Sequence, residues 1–221
     1  MWNGLDGANN WATVDEGPST PRRTNTFDAT NSLDSSVKSG VTTTYDYDAN
    51  GNLVEDDKYE YTYDGLNRLR KVHNKATNQD VATYEYDALG RRVSKTTSSG
   101  STQFYYDGVN AIEERDGTTV LRQFVFGDKP DEVLVMDRYQ PTVARFHYLR
   151  DALGSVIGLT DSTGTLKEGY LYDAYGKTAV VRPGTNGVVD WGNDDTTATS
   201  SELGNPHAYT PAANHRRRCR W

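Results

Sequence analysis

A single cysteine, Cys219, stands among 221 residues, so no intrachain disulfide framework can staple this fold, and the redox compartment stays open. Phenylalanine, tryptophan and methionine are scarce at 5, 4 and 2 copies, and only 35% of residues are apolar. Such a chain cannot fill a thick two-sided core, but it can coat one face of a sheet. No apolar run approaches the roughly 18 residues of a membrane-spanning helix. The opening residues Met1-Trp2-Asn3-Gly4-Leu5-Asp6 lack a charged stretch followed by an apolar one, so no export signal is expected in this chain. Basic residues number 24 against 31 acidic ones, and the net charge of −7 argues against nucleic acid or an anionic membrane as a partner. Phosphate-binding glycine loops of the P-loop or dinucleotide type are also missing.

What the chain does have is tyrosine, 15 copies of it, arranged in a repeat. An aromatic residue is followed by Asp, with Gly or Asn four positions after the aromatic. Seven copies stand out: Leu5-Asp6-Gly7-Ala8-Asn9, Phe27-Asp28-Ala29-Thr30-Asn31, Tyr47-Asp48-Ala49-Asn50-Gly51, Tyr63-Asp64-Gly65-Leu66-Asn67, Tyr86-Asp87-Ala88-Leu89-Gly90, Tyr106-Asp107-Gly108-Val109-Asn110 and Tyr172-Asp173-Ala174-Tyr175-Gly176. Degenerate copies at Phe126-Gly127-Asp128 and at Tyr148 to Gly154 fill the gap, giving a period of about twenty-one residues.

Each copy has a physical reading. Asp at the first corner of a type I turn accepts hydrogen bonds from the backbone that follows, and the fourth position needs a positive φ, which Gly or Asn tolerates. The result is a hairpin tip with a G1-type bulge. In that geometry the aromatic faces the residue six positions on, which predicts the pairs Leu5 with Trp11, Phe27 with Leu33, Tyr47 with Leu53, Tyr63 with Leu69 and Tyr106 with Ile112. Arg92 and Thr178 occupy the same position without being apolar. Upstream of the tips, aromatics recur with period two, as in Tyr59, Tyr61 and Tyr63, and this is a strand signature. Second turns such as Ser98-Ser99-Gly100, Asp116-Gly117 and Asp161-Ser162-Thr163-Gly164 lie between tips, so each period is two antiparallel strands and two turns. The expected fold class is all-β: an antiparallel β-hairpin repeat array, as a curved sheet or spiral.

Several constellations invite a chemical reading, and each has a plainer one. Asp46-Tyr47-Asp48-Ala49-Asn50-Gly51 with Asp57 matches the start of a calcium loop, but its flanks alternate as strands and the repeat itself generates this spacing. The histidines His73, His147, His207 and His215 are scattered, without thiols or carboxylates at metal-ligand spacing. Gly154-Ser155-Val156-Ile157-Gly158 places its serine out of register for a nucleophile elbow. The tip aspartates are engaged in turn hydrogen bonds, which leaves no evident acid/base pair. No catalytic, cofactor-binding or metal site is therefore assigned, and an enzyme is not expected. Aromatic rings on the sheet suit packing first and stacking on sugars second.

The residues at this point resemble the RHS or YD-repeat proteins, named for the Tyr-Asp pair. The most specific stretch runs from His147-Tyr148-Leu149-Arg150-Asp151-Ala152-Leu153-Gly154-Ser155-Val156 to Tyr170-Leu171-Tyr172-Asp173-Ala174-Tyr175-Gly176, and is similar to the RHS repeat-associated core signature. The organisation read from this is an array over 1–181 with the core signature at 147–177, a polar insertion loop over 182–204 containing Asp194 to Ser201, and the start of a further core segment with a basic tail over 205–221. What the resemblance implies is a hairpin spiral forming part of an RHS-type cocoon shell, whose partners are the remaining shell and an encapsulated C-terminal toxin of a secreted or cell-surface bacterial protein. The family's next landmarks, a Gly-Arg-rich stretch and an Asp-Pro-x-Gly-Leu segment, do not follow Thr210. A truncated or frameshifted end is the expectation for 211–221. The alternative reading is a cell-surface carbohydrate-binding or adhesion module that presents aromatics to surface glycans.

Overall fold

The computed structural model describes residues 7–8, 10–14, 23–129, 131–172, 178–187, 189, 196–198 and 200–207. The chain divides into two compact units, residues 1–101 and 102–221. Among the described residues every regular element is a β-strand, and within each unit the strands pair antiparallel in chain order, except that Val41–Thr44 and Asp46–Tyr47 belong to different sheets.

In the first unit, β1 (Thr13–Val14), β2 (Arg23–Phe27), β3 (Leu33–Lys38) and β4 (Val41–Thr44) form one sheet in chain order. A second run in chain order comprises β5 (Asp46–Tyr47), β6 (Leu53–Glu55), β7 (Tyr59–Tyr63), β8 (Leu69–Asn74), β9 (Gln79–Tyr86) and β10 (Arg92–Thr97). The chain changes partners around Tyr45: its N–H still bonds Asp34 O on β3, whereas Asp46 and Tyr47 pair with β6. Alternation sets the faces. In β7, Tyr59, Tyr61 and Tyr63 are half-buried while Glu60 and Thr62 are exposed. The core of this unit is small, Val72, Ala82 and Tyr84 flanked by Tyr59, Tyr61, Leu69 and Tyr86.

The second unit continues with most of β11 (Gly100–Asp107), then β12 (Asn110–Asp116), β13 (Thr119–Phe126), β14 (Val133–Arg138), β15 (Ala144–Arg150), β16 (Val156–Thr160), β17 (Leu166–Tyr172), β18 (Thr178–Arg182) and β19 (Thr196–Ala198). Its core is larger: Phe124, Val133, Met136, Phe146, Tyr148, Val156, Leu159, Tyr170 and Val180 line one face. Burying side chains of this size contributes about 1.5 to 3 kcal/mol each.

The hairpin corners share one geometry. At Asp28, Asp48, Asp64, Asp87, Asp151 and Asp161, the Oδ1 atom accepts the N–H groups of the residues two and four positions on, at 2.8 to 3.0 Å. The Asp N–H in turn donates to the carbonyl four positions on, and the residue three positions on donates to the Asp carbonyl. That third residue has positive φ in each corner: Asn31, Gly51, Asn67, Gly90, Gly154 and Gly164, between +59° and +89°. The preceding residue then faces the one six positions on, as Phe27 does Leu33, Tyr47 does Leu53, Tyr63 does Leu69, Tyr86 does Arg92 and Arg150 does Val156. Arg92 keeps the register although it is charged, and its guanidinium lies 5.7 Å from the Tyr84 ring centre.

Three expectations read differently in three dimensions. Tyr106 faces Ala111, not Ile112, because Asp107 pairs directly with Asn110 across a two-residue tip. Gly108, at φ +56°, occupies the first tip position, as a type II′ turn requires. Asp161 to Gly164, taken as an intermediate turn, has the same corner geometry as the tips, with Thr160 facing Leu166. Within the stretch expected as a polar surface loop, Thr196–Ala198 pairs with β18, which satisfies backbone groups a loop would leave to water. Leu5, Asp173 to Gly176, Asp194, Asp195, Tyr209, Thr210 and the tail 211–221 lie outside the described residues.

Two outcomes follow from the corners. Around Gly90 nothing lies within 4 Å of an added Cβ, so Gly90→Ala meets only the cost of positive φ, about 1 kcal/mol. Gly90→Asn loses clearly less in a urea or thermal melt, since Asn31 and Asn67 hold the same site. The second outcome concerns acid. Backbone donation from Ser32 holds the Asp28 carboxyl below the usual 3.8, and the Thr163 side chain does the same for Asp161. For Asp64 and Asp87, desolvation pulls upward, but donation from Arg68 and Leu66, or Arg91 and Leu89, outweighs it and lowers both. Lowered carboxyls contribute stability above the unfolded value and lose it as pH falls through the folded one. The thermal midpoint is therefore expected to fall below about pH 4, and Asp87→Asn to reduce that fall.

Candidate functional site

The corners of one rim are tied to one another. In the first unit Asn52, buried at 3% exposure, donates from Nδ2 to Asp48 Oδ2 within its own corner and to Asn67 Oδ1 of the next, both at 2.9 Å. Arg68 bonds Asp64 Oδ2 through Nε at 2.7 Å and reaches the next corner's Asp87 carbonyl through Nη1 at 3.1 Å. The aromatic ahead of a corner adds a link of the same kind: Tyr86 Oη donates to Leu69 O at 2.8 Å, and in the second unit Tyr172 Oη donates to Val156 O. In each case the acceptor is the first residue of the return strand one period earlier. Recurrence of this bond marks a built neighbour interface.

The second unit carries a further feature on its core face. Residues 200–207 lie over the sheet as a strap, held by groups 18 to 82 positions distant in sequence, Arg182 being the nearest through Ser200 and Glu202. At its centre is Glu168, 1% exposed, two positions before Tyr170 on β17 and therefore on the same face. Glu168 Oε2 accepts from Tyr170 Oη at 2.6 Å and Ser201 Oγ at 2.7 Å, and Oε1 accepts from the N–H groups of Glu202 at 2.8 Å and Leu203 at 3.2 Å. Asn205 continues the network: its Nδ2 donates to Tyr170 Oη at 2.9 Å, and its Oδ1 accepts from Tyr148 Oη at 2.8 Å and from the His207 N–H at 2.9 Å. Arg122 bonds the Gly204 carbonyl and, at 2.7 Å, Glu114, its strand partner on β12. Gly204 has φ +77° and leaves no room for a Cβ beside Arg122.

His207 ends the strap in an aromatic cage. Its ring stands edge-on to Phe124 at 4.9 Å, Phe126 at 5.9 Å and Tyr148 at 6.4 Å between centres. Burial pushes its imidazole down to about 4; of the charges around it Asp131 acts most strongly and pulls upward, and Arg150 and Arg122 each push down less. Burial likewise raises the Tyr148 phenol, as does the Glu114 charge, and raises Tyr170, where hydrogen bonding to Glu168 adds to it.

Elsewhere the residues weighed for chemistry take structural places. Asp48 spends its oxygens on Asn50 and Asn52 donors, and Asp46 lies in β5. His73, without a metal-ligand neighbour in the sequence reading, does gain a carboxylate through its hairpin: Nδ1 lies 2.8 Å from Asp80 Oδ1. His147 sits in β15, His215 lies outside the described residues, and Ser155 donates its N–H to Asp151 on leaving a corner. Among the described residues no three His, Cys, Asp or Glu side chains gather as metal ligands, and no helix is long and apolar enough to cross a membrane. The large exposed aromatics among the described residues are Trp11 and Tyr105, the latter covered by Arg115 at 5.1 Å. The strap escaped sequence reasoning, although a signal was present: Glu168 is a charge at a core-facing position of a strand with Tyr170 and Tyr172 at period two.

Known proteins place these features in a family context. The Teneurin YD-shell family profile matches residues 19–181. The tRNA3(Ser)-specific nuclease WapA of Bacillus spizizenii is 35% identical over 133 residues, 59% of this chain and 6% of that protein. The double-stranded DNA deaminase toxin A of Burkholderia cenocepacia is 27% identical over 170 residues, 63% of this chain and 12% of that protein. A crystal structure of TcdB2-TccC3 without its hypervariable C-terminal region covers 80% of this chain and 12% of its own, with a TM-score of 0.45 at 14% identity. The chain thus spans a small part, 6 to 12%, of the curated relatives it matches.

Removing Glu168 tests the strap. Glu168→Ala leaves two backbone N–H groups and two hydroxyls without their acceptor, and should cost on the order of 3 kcal/mol. Glu168→Gln should cost less in the same denaturation experiment, because the Ser201 and Tyr170 hydroxyls can turn to accept from the new amide while Oε1 still serves the backbone.

Proposed function

This chain belongs to the Teneurin YD-shell family, and from that premise we propose that it is a wall segment of an RHS-type shell that encloses a C-terminal effector and is itself non-catalytic. The observation that carries the reading is the corner repeated at six positions, three of which, at Asp48, Asp64 and Asp87, are bonded one to the next. Chemistry is spent there on holding backbone to backbone, and the aromatic side chains of the two cores serve as packing.

Two further points support it. The relatives are named for activities, tRNA nuclease and double-stranded DNA deaminase, while this chain matches only 6 to 12% of their length. We take the shared part to be shell and the named activities to belong to other segments, so the partners of this chain would be the rest of the shell and the enclosed effector. Secretion or display at the cell surface goes with that role. The adhesion reading has less behind it, because the exposed Tyr105 is already covered by Arg115.

Limited proteolysis of the complete protein that carries this segment tests the proposal. The effector portion should survive digestion while the array is folded and be cut once the array is unfolded by denaturant. Cleavage at the rate of the isolated effector would overturn encapsulation. Glycan-array binding lost on replacing Trp11 and Tyr105, with the melt unchanged, would favour adhesion instead.

A further inference from the structure

His207 is the one titratable side chain of the strap that is enclosed by rings, and what surrounds it makes the strap sensitive to acid. Two strands supply the cage, β13 with Phe124 and Phe126 and β15 with Tyr148. The charged and titratable groups near it are Arg122 on β13, Tyr148 and Arg150 on β15, and Asp131 ahead of β14. Glu114 on β12 is paired with Arg122, and Glu168 and Tyr170 on β17 are committed to the strap's other end. β14 and β16 bring the uncharged Val133, Met136, Val156 and Leu159 to the core, and β14 adds Arg138, whose guanidinium lies 5.1 Å from the Phe146 ring centre. His207 joins the strap's hydrogen-bond network through its backbone N–H, which donates to Asn205. Asp131 is the strongest charge acting on the ring and favours its protonation, but burial, aided by the two guanidinium groups, outweighs it.

We propose that residues 200–207 form an acid-released latch, in which protonation of the His207 imidazole inside its aromatic cage undocks the strap and uncovers the core face of the second unit. Protonation would set a cation in a part-buried site among Phe124, Phe126 and Tyr148 with two arginines near it, whereas in water it is fully solvated. Docking therefore excludes a proton, and acid favours the undocked strap. The departing strap takes with it the groups that cover Phe124, Tyr148 and Tyr170, so release turns a closed core face into an exposed apolar one. This device is independent of whether an effector is enclosed.

The linkage fixes the size and the window. With an imidazole at the ordinary 6.5 when undocked and about 4 when docked, docking weakens by about twentyfold between pH 7 and pH 5. That interval lies above the range in which the corner aspartates titrate, so the two acid effects separate. Hydrogen exchange of the intact chain, corrected for the intrinsic pH dependence, reads it at the N–H groups of Glu202, Leu203 and His207. Their protection should drop about twentyfold from pH 7 to pH 5, while amides bonded to the corner aspartates hold theirs. His207→Phe, which fills the cage without a titrating group, should abolish the drop. Unchanged protection in the natural chain, or the same drop in His207→Phe, would overturn the latch. Should that variant fail to fold, ring-proton NMR titration of the natural chain decides instead: a His207 midpoint near 4 supports the proposal, and one at or above 6 refutes it.

Discussion

Two amide hydrogens converging on one aspartate oxygen close each corner, and most of this molecule depends on that arrangement. With its Oδ1 bound two and four residues ahead, the Asp fixes a loop in which the preceding residue must face the one six positions on. That count decides which side chains share a face. A shift of one residue would turn the tyrosines of β7 outward and bring Glu60 and Thr62 in. Register is thus specified locally at each of these corners, and the aromatic stripe follows from it. The positive-φ residue three places after the Asp is the remaining requirement, and Gly and Asn alternate there without changing the geometry.

The two units use that scaffold differently. In the first, the corner is the main polar investment, and only Val72, Ala82 and Tyr84 are gathered as a buried core. In the second, a buried carboxylate recruits a distant piece of chain. Glu168 has each oxygen doubly bonded, so its charge is satisfied by the oriented dipoles of two hydroxyls and two backbone amides. Such a network is costly when incomplete and specific when complete, which is why it can place residues 200–207 in one position on an otherwise adaptable apolar surface.

How much was legible in the sequence tracks the distance between interacting residues. The corners were readable because Asp and the Gly or Asn that complements it lie three positions apart, and their effect on pairing is a matter of counting. Tyr106 departs from the count because the chain there turns through two residues, with Gly108 at positive φ, and the irregularity moves into the strand. Gly65 follows Asp64 in the same way without positive φ and its corner keeps the count, so the sequence alone does not separate the two. The corner at Asp161 looked like a lesser turn because Thr160 precedes it where an aromatic was the marker. His73 and Asp80 looked unrelated seven positions apart until the four-residue loop of their hairpin brought them face to face. The strap was beyond reach for a different reason. Asn205, Ser201 and His207 find partners 33 to 83 residues away, and nothing in local spacing signals an interaction of that range.

The links between corners also constrain how such a chain can change length over time. Asn52 reaches Asn67, Arg68 reaches Asp87, and Tyr86 reaches Leu69, each one period along and on the same side. Gene duplication or loss that adds or removes strands in twos leaves every surviving link with a proper neighbour. An odd strand would send the next corner to the opposite border, out of reach of its partner one period along, so growth of these sequences is expected to proceed in whole hairpins.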